Sequence, residues 1–375
     1  MKHPVVIVGA GLAGLSLAIE LSRRGVPVVV LEKDRFPRQK VCGEYISQES
    51  ERYVNWLGVS TESLPHIHTL LLSSRSGRQV TLPLPKGGFG ISRWTLDNLL
   101  AQIAVDEGVD LRFGVTVRAV EGNRVITASQ DTLEASFVTG AYGRANRLAA
   151  QRVPAGSSHY VGVKYQVQSD APADQIEMHI FGGGYCGFSK VEDDRYCLCY
   201  LSEAGALKAM GGDIAAFEQK YLYQNPRLRE RFSEARVLGE RVTTSQFRFA
   251  THGGMHEMQL LTGDAAGFIP PITGNGMSLA FRGAATLAPV LADAWHGKVS
   301  GEAPYLLQER YVNGYLRSRI RKGVFLQNLL IRQNLFSDTL LFGALRVFPA
   351  LGRTLAKSAS GEDIGLPHEA QGPER

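Results

Sequence analysis

The sequence predicts an α/β protein with a doubly wound parallel sheet, an inserted antiparallel sheet and a helical C-terminus. The first observation is a βαβ unit, because the apolar runs 5–8 and 28–31 flank helical spacing over 15–24. Continuous β-branched runs are typical of parallel strands that are buried on both faces. The second observation is an aromatic-rich alternation of apolar and polar residues over 156–242, and the third is helical spacing from Tyr305 onward.

The composition indicates a folded, enzyme-sized protein. A chain of 375 residues, 44% hydrophobic and 21% charged, is long enough for two domains. The net charge of +5 comes from scattered Lys and Arg, so we expect no nucleic-acid partner. The four cysteines have neither disulfide-framework nor zinc spacing, which predicts no metal site and a reducing, cytoplasmic location. No apolar stretch approaches the roughly 20 residues of a transmembrane helix, and the apolar start is too short for a signal peptide.

The βαβ unit carries a dinucleotide-binding motif. A GxGxxG pattern runs from Gly9 to Gly14 between the first strand and the first helix. Gly9 permits the tight turn, Gly11 lets the backbone approach a pyrophosphate, and Gly14 allows close packing of helix on strand. Glu32 ends the next strand and is placed to bind a ribose; the alternative is an ordinary glycine-rich turn. The predicted binding residues are Gly9, Gly11, Leu12, Ala13, Gly14, Glu32 and Lys33.

A second segment decides between NAD and FAD, which the first motif leaves open. After an apolar strand near Leu260 the chain reads Gly263-Asp264, and a Pro-containing loop then leads to Gly274-Asn275-Gly276-Met277. This segment resembles the second flavin fingerprint of the aromatic-hydroxylase and geranylgeranyl-reductase superfamily. The resemblance implies an FAD-binding domain, with Asp264 at the ribityl or pyrophosphate region and a helix beginning beneath the isoalloxazine. The residues it implicates are Gly263, Asp264, Pro270, Gly274, Asn275, Gly276 and Met277.

Shorter matches extend the resemblance, which covers about residues 4–300. Segment 91–100 is similar to one whose Arg contacts FAD, which implicates Arg93; a solvated surface charge is the alternative. The strand ending at Val117 is similar to one whose backbone meets the adenine. One departure concerns the electron donor, because Tyr142 replaces an Asp that helps hydroxylases bind pyridine nucleotide. The expected reductant is therefore either NADPH or another external electron donor.

The Cys-Gly-Glu segment within 36–44 resembles a geranylgeranyl-reductase segment that lies against the flavin near the substrate. It implies Arg38, Cys42 and Gly43 as cofactor contacts and Cys42 as a catalytic residue. Tyr185, the second catalytic candidate, falls where the reductases place an aromatic strand over the substrate, although their Trp is absent. Cys42 and Arg38 have structural alternatives, since most free cysteines are small buried hydrophobes and Arg38 is equally consistent with a solvated charge.

The domain boundaries follow the changes of pattern. We expect an FAD-binding domain that is discontinuous because the substrate sheet interrupts it, then C-terminal helices and a disordered polar tail. The predicted ranges are 1–75, 91–155 and 252–300 for the FAD-binding domain, 76–90 and 156–251 for the substrate domain, 301–358 for the helices and 359–375 for the tail.

The resemblance supplies three candidate activities. The first is monooxygenation of a hydrophobic or aromatic small molecule, and the second is flavin-dependent double-bond reduction of the geranylgeranyl-reductase type. The third is modification of a partner protein's side chains during quinone-cofactor maturation. Flavin halogenases have a Trp-x-Trp-x-Ile-Pro signature that this chain lacks. Basic residues interrupt the apolar helical pattern over 324–355, which indicates a helical cap, a lid over a hydrophobic cavity or a peripheral membrane contact.

Overall fold

The computed structural model describes residues 2–144, 148, 160–245, 247, 249–331, 335–348, 350, 352, 354 and 360–366. The strands are β1 (Val5–Val8), β2 (Val28–Glu32), β3 (Tyr45–Ser47), β4 (His66–Ser73), β5 (Gln79–Gly90), β6 (Asp110–Phe113), β7 (Val117–Glu121), β8 (Arg124–Thr127), β9 (Thr132–Glu134), β10 (Phe137–Gly140), β11 (Tyr160–Gln168), β12 (Gln175–Phe181), β13 (Gly184–Lys190), β14 (Arg195–Glu203), β15 (Arg236–Ser245), β16 (Met255–His256) and β17 (Gln259–Leu261). The helices are α1 (Leu12–Arg23), α2 (Glu51–Leu57), α3 (Arg93–Asp106), α4 (Ala204–Lys208), α5 (Ile214–Phe217), α6 (Pro226–Glu234), α7 (Gly276–His296), α8 (Ala303–Tyr311), α9 (Arg317–Ile331) and α10 (Leu335–Val347).

The predicted α/β fold class is confirmed by a six-stranded sheet in the order β16-β17-β10-β1-β2-β6. Its strands are parallel except β16, and Val5 of β1 pairs with both Val28 and Phe137. Alternate residues of β1 point to opposite faces, as strand geometry requires. Val5 and Ile7 pack with helices α1, α3 and α7, whereas Val6 and Val8 pack under the small sheet β7-β8-β9. The second cover is therefore a β-sheet rather than a layer of helices.

An eight-stranded sheet in the order β15-β11-β14-β13-β12-β4-β5-β3 adjoins the first. Two of its strands, β3 and β4, come from residues that we assigned to the FAD-binding domain from sequence. Their pairing with β5 explains the difference, because β4 follows α2 by a short loop and forms a long antiparallel ladder with β5. The predicted boundary at 155 lies outside the described residues.

Part of the expected disordered tail is instead packed on the core. Ile364 is buried, and its backbone N–H donates to the carbonyl of Glu49 at 2.9 Å. The Gly361 N–H donates to the Glu49 carboxylate, and Lys86 pairs with Asp363 at 2.5 Å. This polar tail therefore contains one apolar residue, Ile364, that packs on the core. Residues 360–366 lie beside the loop that precedes α7, because Glu49 contacts both Gly361 and Asn275.

A buried carboxyl lies between α1 and α2. Glu20 is fully buried, the Tyr53 hydroxyl donates to its Oε1 at 2.5 Å, and Arg24 lies 3.5 Å from its Oε2. Burial raises the pKa of Glu20 from 4.5 to about 7, against the opposing hydrogen bond from Tyr53 and the charge of Arg24.

This pKa makes stability depend on pH. Because the folded-state pKa exceeds the unfolded value, the stability contributed by protonated Glu20 is fully present below pH 4.5 and is lost as the pH rises through about 7. Relative to Glu20→Gln, the wild-type free energy of unfolding should therefore fall by about 3 kcal/mol across that window. Urea unfolding of both proteins at several pH values measures this difference, and parallel pH profiles would contradict it.

Candidate active site

A cleft of about 590 Å³ lies between the two large sheets. One end is formed by the β1–α1 loop and the end of β2, and the other by apolar residues of the eight-stranded sheet and the C-terminal helices. Arg93 at the start of α3 and the loop before α7 also line it. The carboxyl ends of parallel strands thus open onto one continuous space, the usual position of a ligand site in such sheets.

Steric constraints fix two glycines of the β1–α1 loop. Gly9 has φ +107°, and a Cβ there would lie 2.6 Å from the Ala141 carbonyl oxygen. A Cβ on Gly14 would lie 2.0 Å from the Gly9 carbonyl oxygen. Gly14 therefore lets α1 pack directly on the loop. At Gly11 a Cβ would have no neighbouring atom within 4 Å, so this residue leaves backbone open to the cleft.

Glu32 ties this loop to the end of β2. Its Oε2 accepts from the Ala10 N–H at 2.8 Å, and its Oε1 accepts from the Asp34 N–H at 3.0 Å. The first turn of α1 has no side-chain cap and no acidic residue, and Leu12 and Ala13 face the cleft. Free N–H groups and the helix dipole favour an anion such as a phosphate at this position.

Asp264 lies beside the first turn of α1, in a short 3₁₀ turn after β17 whose Gly263 leaves no room for a Cβ against Ala13. Within the described part of the chain, no side chain donates a hydrogen bond to its carboxylate. Burial raises its pKa to about 6, while the charges of Arg144 and Arg93 oppose that shift. Arg144 is itself held over the Phe247 ring, 3.9 Å from the centroid, and donates to Thr244 Oγ1 at 2.8 Å. A carboxylate that lacks a protein partner in a cleft is suited to accept hydrogen bonds from a ligand.

The loop before α7 closes the same side of the cleft. Gly274 has φ +68° and lies against the Tyr45 ring, which is 3.2 Å from where its Cβ would be. Asn275 donates to Glu49 Oε1 at 3.1 Å, so the loop is anchored at the position where residues 360–366 dock. The N-terminus of α7 has no side-chain cap. A second helix dipole therefore points its positive end into the cleft.

The segment 38–44 crosses the cleft and is fixed by a buried carboxylate. Glu44 is fully buried with φ +56°, a left-handed conformation that is uncommon for non-glycine residues. Its side chain accepts from the Lys164 ammonium, from Gln166 Nε2 at 2.8 Å and from the Arg93 N–H at 2.7 Å. Burial raises the pKa of Glu44. Burial alone would lower the pKa of Lys164, but the negative charge of Glu44 acts in the opposite direction and the net shift of the lysine pKa is upward.

Arg93 is committed to a neighbouring ion cluster. Its guanidinium donates two hydrogen bonds to Asp97, at 2.7 and 2.9 Å, and Lys40 donates to the same carboxylate at 2.5 Å. Burial raises and these two cations lower the pKa of Asp97, with a net shift downward. Arg93 lines the cleft, and its ion pair with Asp97 holds it there rather than on the surface.

The two predicted catalytic residues line the cleft, Tyr185 within the apolar cluster and Cys42 against the core that packs on the six-stranded sheet. Burial raises the pKa of the Cys42 thiol, so the group is protonated near neutral pH, and Cys197 donates to the Cys42 carbonyl at 3.1 Å. Tyr185 is buried, and its hydroxyl is among those with no hydrogen-bond partner in the described residues. Apolar residues surround it, including Leu72, Met178, Leu201, Phe268, Leu330 and Leu345.

Most of the predicted site residues meet at this cleft, including Lys33, Arg38 and Gly43. Three do not line it. Gly14 acts in packing, Pro270 packs against Gly323 of α9 while Pro271 lines the cleft, and Val117 begins the outer sheet. In the predicted strand ending at Val117, the Val115 N–H instead donates to the Glu32 carbonyl at 2.9 Å.

Sequence reasoning missed Arg144, Lys164 and Gln166. A Lys within the β-branched strand β11 was an available sign of a buried ion pair, since lysine is rarely buried without a partner. Arg144 gave little signal because its site role depends on β15 and on Phe247. Within the described residues there is no His, Cys, Asp and Glu cluster suited to a metal ion, and no helix is long and apolar enough to cross a bilayer.

A βαβ dinucleotide motif and a second glycine-rich loop meet at one end of this cleft, whose other end is an apolar chamber around Tyr185, and this arrangement is suited to a dinucleotide cofactor. Residues 2–179 match the family described as FAD binding domain, which supports FAD as the cofactor. This match, together with the relatives of the chain, supports an FAD-dependent oxidoreductase of the aromatic-hydroxylase-like superfamily.

Two relatives align with more than three quarters of this chain. Rifampicin monooxygenase of Rhodococcus hoagii is 27% identical over 82% of this chain, and conditioned medium factor receptor 1 of Dictyostelium discoideum is 24% identical over 78%. The chain spans 66% and 64% of the lengths of these two relatives, less than two thirds of either. The structure of the flavin-dependent brominase Bmp2 superposes with a TM-score of 0.77 at 18% identity, covering 97% of this chain and 95% of the brominase, which shows a shared fold.

Proposed function

We propose that this protein is an FAD-dependent monooxygenase that transfers one oxygen atom to a hydrophobic or aromatic small molecule. The observation that carries the proposal is the continuity of the cleft, in which the nucleotide-binding elements lead directly into a buried apolar chamber. FAD, when bound, supplies the redox chemistry and the reaction with dioxygen. The apolar walls are the reason for favouring a small hydrophobic molecule over a partner protein's side chain.

The residues that would hold FAD line the cleft and have donor or acceptor capacity beyond the contacts they make in the described residues. The first turn of α1, after Gly9 and Gly11, suits the pyrophosphate, and Glu32 suits the adenosine ribose. Asp264 is suited to the hydroxyls of the ribityl chain because no side chain of the described residues donates a hydrogen bond to its carboxylate. The uncapped N-terminus of α7 stabilises negative charge beside the ring system.

The chamber orients the substrate and excludes water. Its leucines and aromatic residues bury an apolar body, and the Tyr185 hydroxyl is the polar group available to one substrate oxygen. Tyr142 stands where hydroxylases of the superfamily have an Asp that helps bind pyridine nucleotide. We therefore propose an external electron donor without assigning it to NADPH.

The position of Cys42 favours a second candidate, reduction of a carbon–carbon double bond. Its thiol is protonated and lines the cleft between the nucleotide end and the apolar chamber. It could donate the proton while the cofactor supplies the hydride. In that case Cys42→Ser should slow substrate reduction far more than it slows reduction of the flavin by the donor. Equal slowing of both half-reactions, followed by stopped-flow absorbance, would mark Cys42 as structural.

Product mass distinguishes the two activities. The FAD-loaded protein is reduced anaerobically and then mixed with isotopically labelled dioxygen and a set of lipophilic phenols and polyprenyl quinones. We expect a product that carries one labelled oxygen. A product that gains only two hydrogens under anaerobic conditions supports the reductase instead, and protein that cannot take up FAD rejects both.

A further inference from the structure

The outer face of the C-terminal helices exposes an unusual set of large apolar side chains. Phe325 of α9 is 69% exposed, and Leu340, Val347 and Phe348 of α10 and its end are 59%, 69% and 64% exposed. Other exposed hydrophobic residues occur elsewhere in the described chain, but apart from Leu306 on α8, at 64%, each is 53% exposed or less. Three of the four are on α10 or at its end, and the buried sides of α9 and α10 contribute to one apolar cluster. Several large exposed apolar residues on two such helices are typical of an interaction surface.

Positive charge accompanies this apolar set. Arg321 and Lys322 are exposed one turn before Phe325, and Arg346 is exposed next to Val347. Residues 315–357 contain eight Lys and Arg against one acidic residue, so this segment carries more positive charge than the +5 of the whole chain. An apolar helix face bordered by basic side chains is the pattern that anionic lipid surfaces bind.

The inner faces of the same helices form a wall of the substrate chamber. Leu326 and Leu330 of α9 and Leu345 of α10 line the cleft, and Leu330 and Leu345 pack with Tyr185 in one apolar cluster. One layer of helix therefore separates the exposed apolar side chains from the chamber. A molecule passing between or around these helices would exchange one apolar environment for another.

We propose that this outer face, made of Arg321, Lys322, Phe325, Leu340, Arg346, Val347 and Phe348, docks onto an anionic lipid bilayer. The substrate class that follows is a lipid dissolved in the bilayer, with an aliphatic body and one hydrogen-bonding head group for Tyr185. This second step rests on the proposed function, whereas the docking does not. Charge argues against self-association, because a second copy would bring like-charged surfaces together.

Vesicle sedimentation tests the docking with the FAD-loaded full chain. We expect binding to phosphatidylcholine vesicles containing phosphatidylglycerol, weaker binding to phosphatidylcholine alone, and release by salt. Phe325→Ser with Phe348→Ser should weaken binding about tenfold or more, and Arg321→Gln with Lys322→Gln should do the same only for anionic vesicles. Leu306→Ser, at an equally exposed position of α8, is the matched control and should bind like wild type.

Other outcomes reject the docking. It is overturned if no vesicle binds, if all variants bind equally, or if sedimentation velocity shows wild-type self-association that Phe325→Ser with Phe348→Ser relieves. Retention of FAD is measured in parallel, as is turnover of the lipophilic phenols and polyprenyl quinones dissolved in detergent. Turnover without vesicle binding overturns this inference alone, and vesicle binding without turnover overturns the proposed function and the substrate class alone.

Discussion

Asp264→Ala should yield folded protein that has lost most of its FAD. The carboxylate lies in the cleft between Arg93 and Arg144 and is bonded by no side chain of the described residues, so its proposed partners are cofactor hydroxyls. Hydrogen bonds to a charged group contribute about 1.5–3 kcal/mol each, and two of them correspond to a loss of affinity of roughly a hundredfold or more. The visible absorbance of purified protein and fluorescence titration with FAD measure the loss.

A matched control separates this effect from the loss of any surface carboxylate. Asp110 is half-exposed at the start of β6, where it pairs with Arg112 at 2.5 Å. Such exposed pairs contribute little, so Asp110→Ala should keep wild-type FAD content and stability. Full FAD retention by Asp264→Ala, with unchanged affinity, would remove Asp264 from the proposed cofactor site.

Lys164→Met should destabilise the fold by about 3–5 kcal/mol, because it leaves the buried Glu44 carboxylate without its cation. Lys164 and Glu44 are almost completely buried, and the pair joins β11 of the eight-stranded sheet to the segment that carries Cys42. The midpoint of urea unfolding measures the loss of stability, and the flavin spectrum reports whether the segment 38–44 has moved. The substitution keeps most of the side-chain volume, so the main change is the lost charge.

A double variant and a control variant test this explanation of the Lys164→Met effect. Adding Glu44→Gln to Lys164→Met removes the uncompensated charge and should recover much of the stability, since replacing both members of a buried pair is often nearly neutral. Lys86→Met removes an exposed pair with Asp363 and should cost less than about 1 kcal/mol. If Lys164→Met is as stable as Lys86→Met, the buried pair does not hold the two parts together.

The FAD-binding half was predictable because its chemistry is local in sequence. Gly9, Gly14 and Glu32 lie within one βαβ unit, so backbone conformation, helix packing and the acidic strand end could be inferred from spacing. The structure gives the physical reason for Gly14, whose Cβ would overlap the Gly9 carbonyl. The roles proposed for these residues toward FAD remain predictions that the Asp264 experiment begins to test.

The remainder of the site depends on contacts between distant segments. Lys164 contacts Glu44, Arg144 contacts Phe247 and residues 360–366 contact Glu49, and the members of each pair are about 100 residues or more apart in the sequence. Sequence patterns over a few residues do not indicate which distant residues will be in contact. Strand pairing in the structure, for example, places β3 and β4 in the eight-stranded sheet. By itself, the sequence determined the α/β class and the two glycine-rich motifs, because propensity and periodicity act over a few residues. Only the tertiary structure decided which charges are buried in pairs, where the apolar chamber lies and which face of α9 and α10 is exposed, because burial is a property of the packed whole.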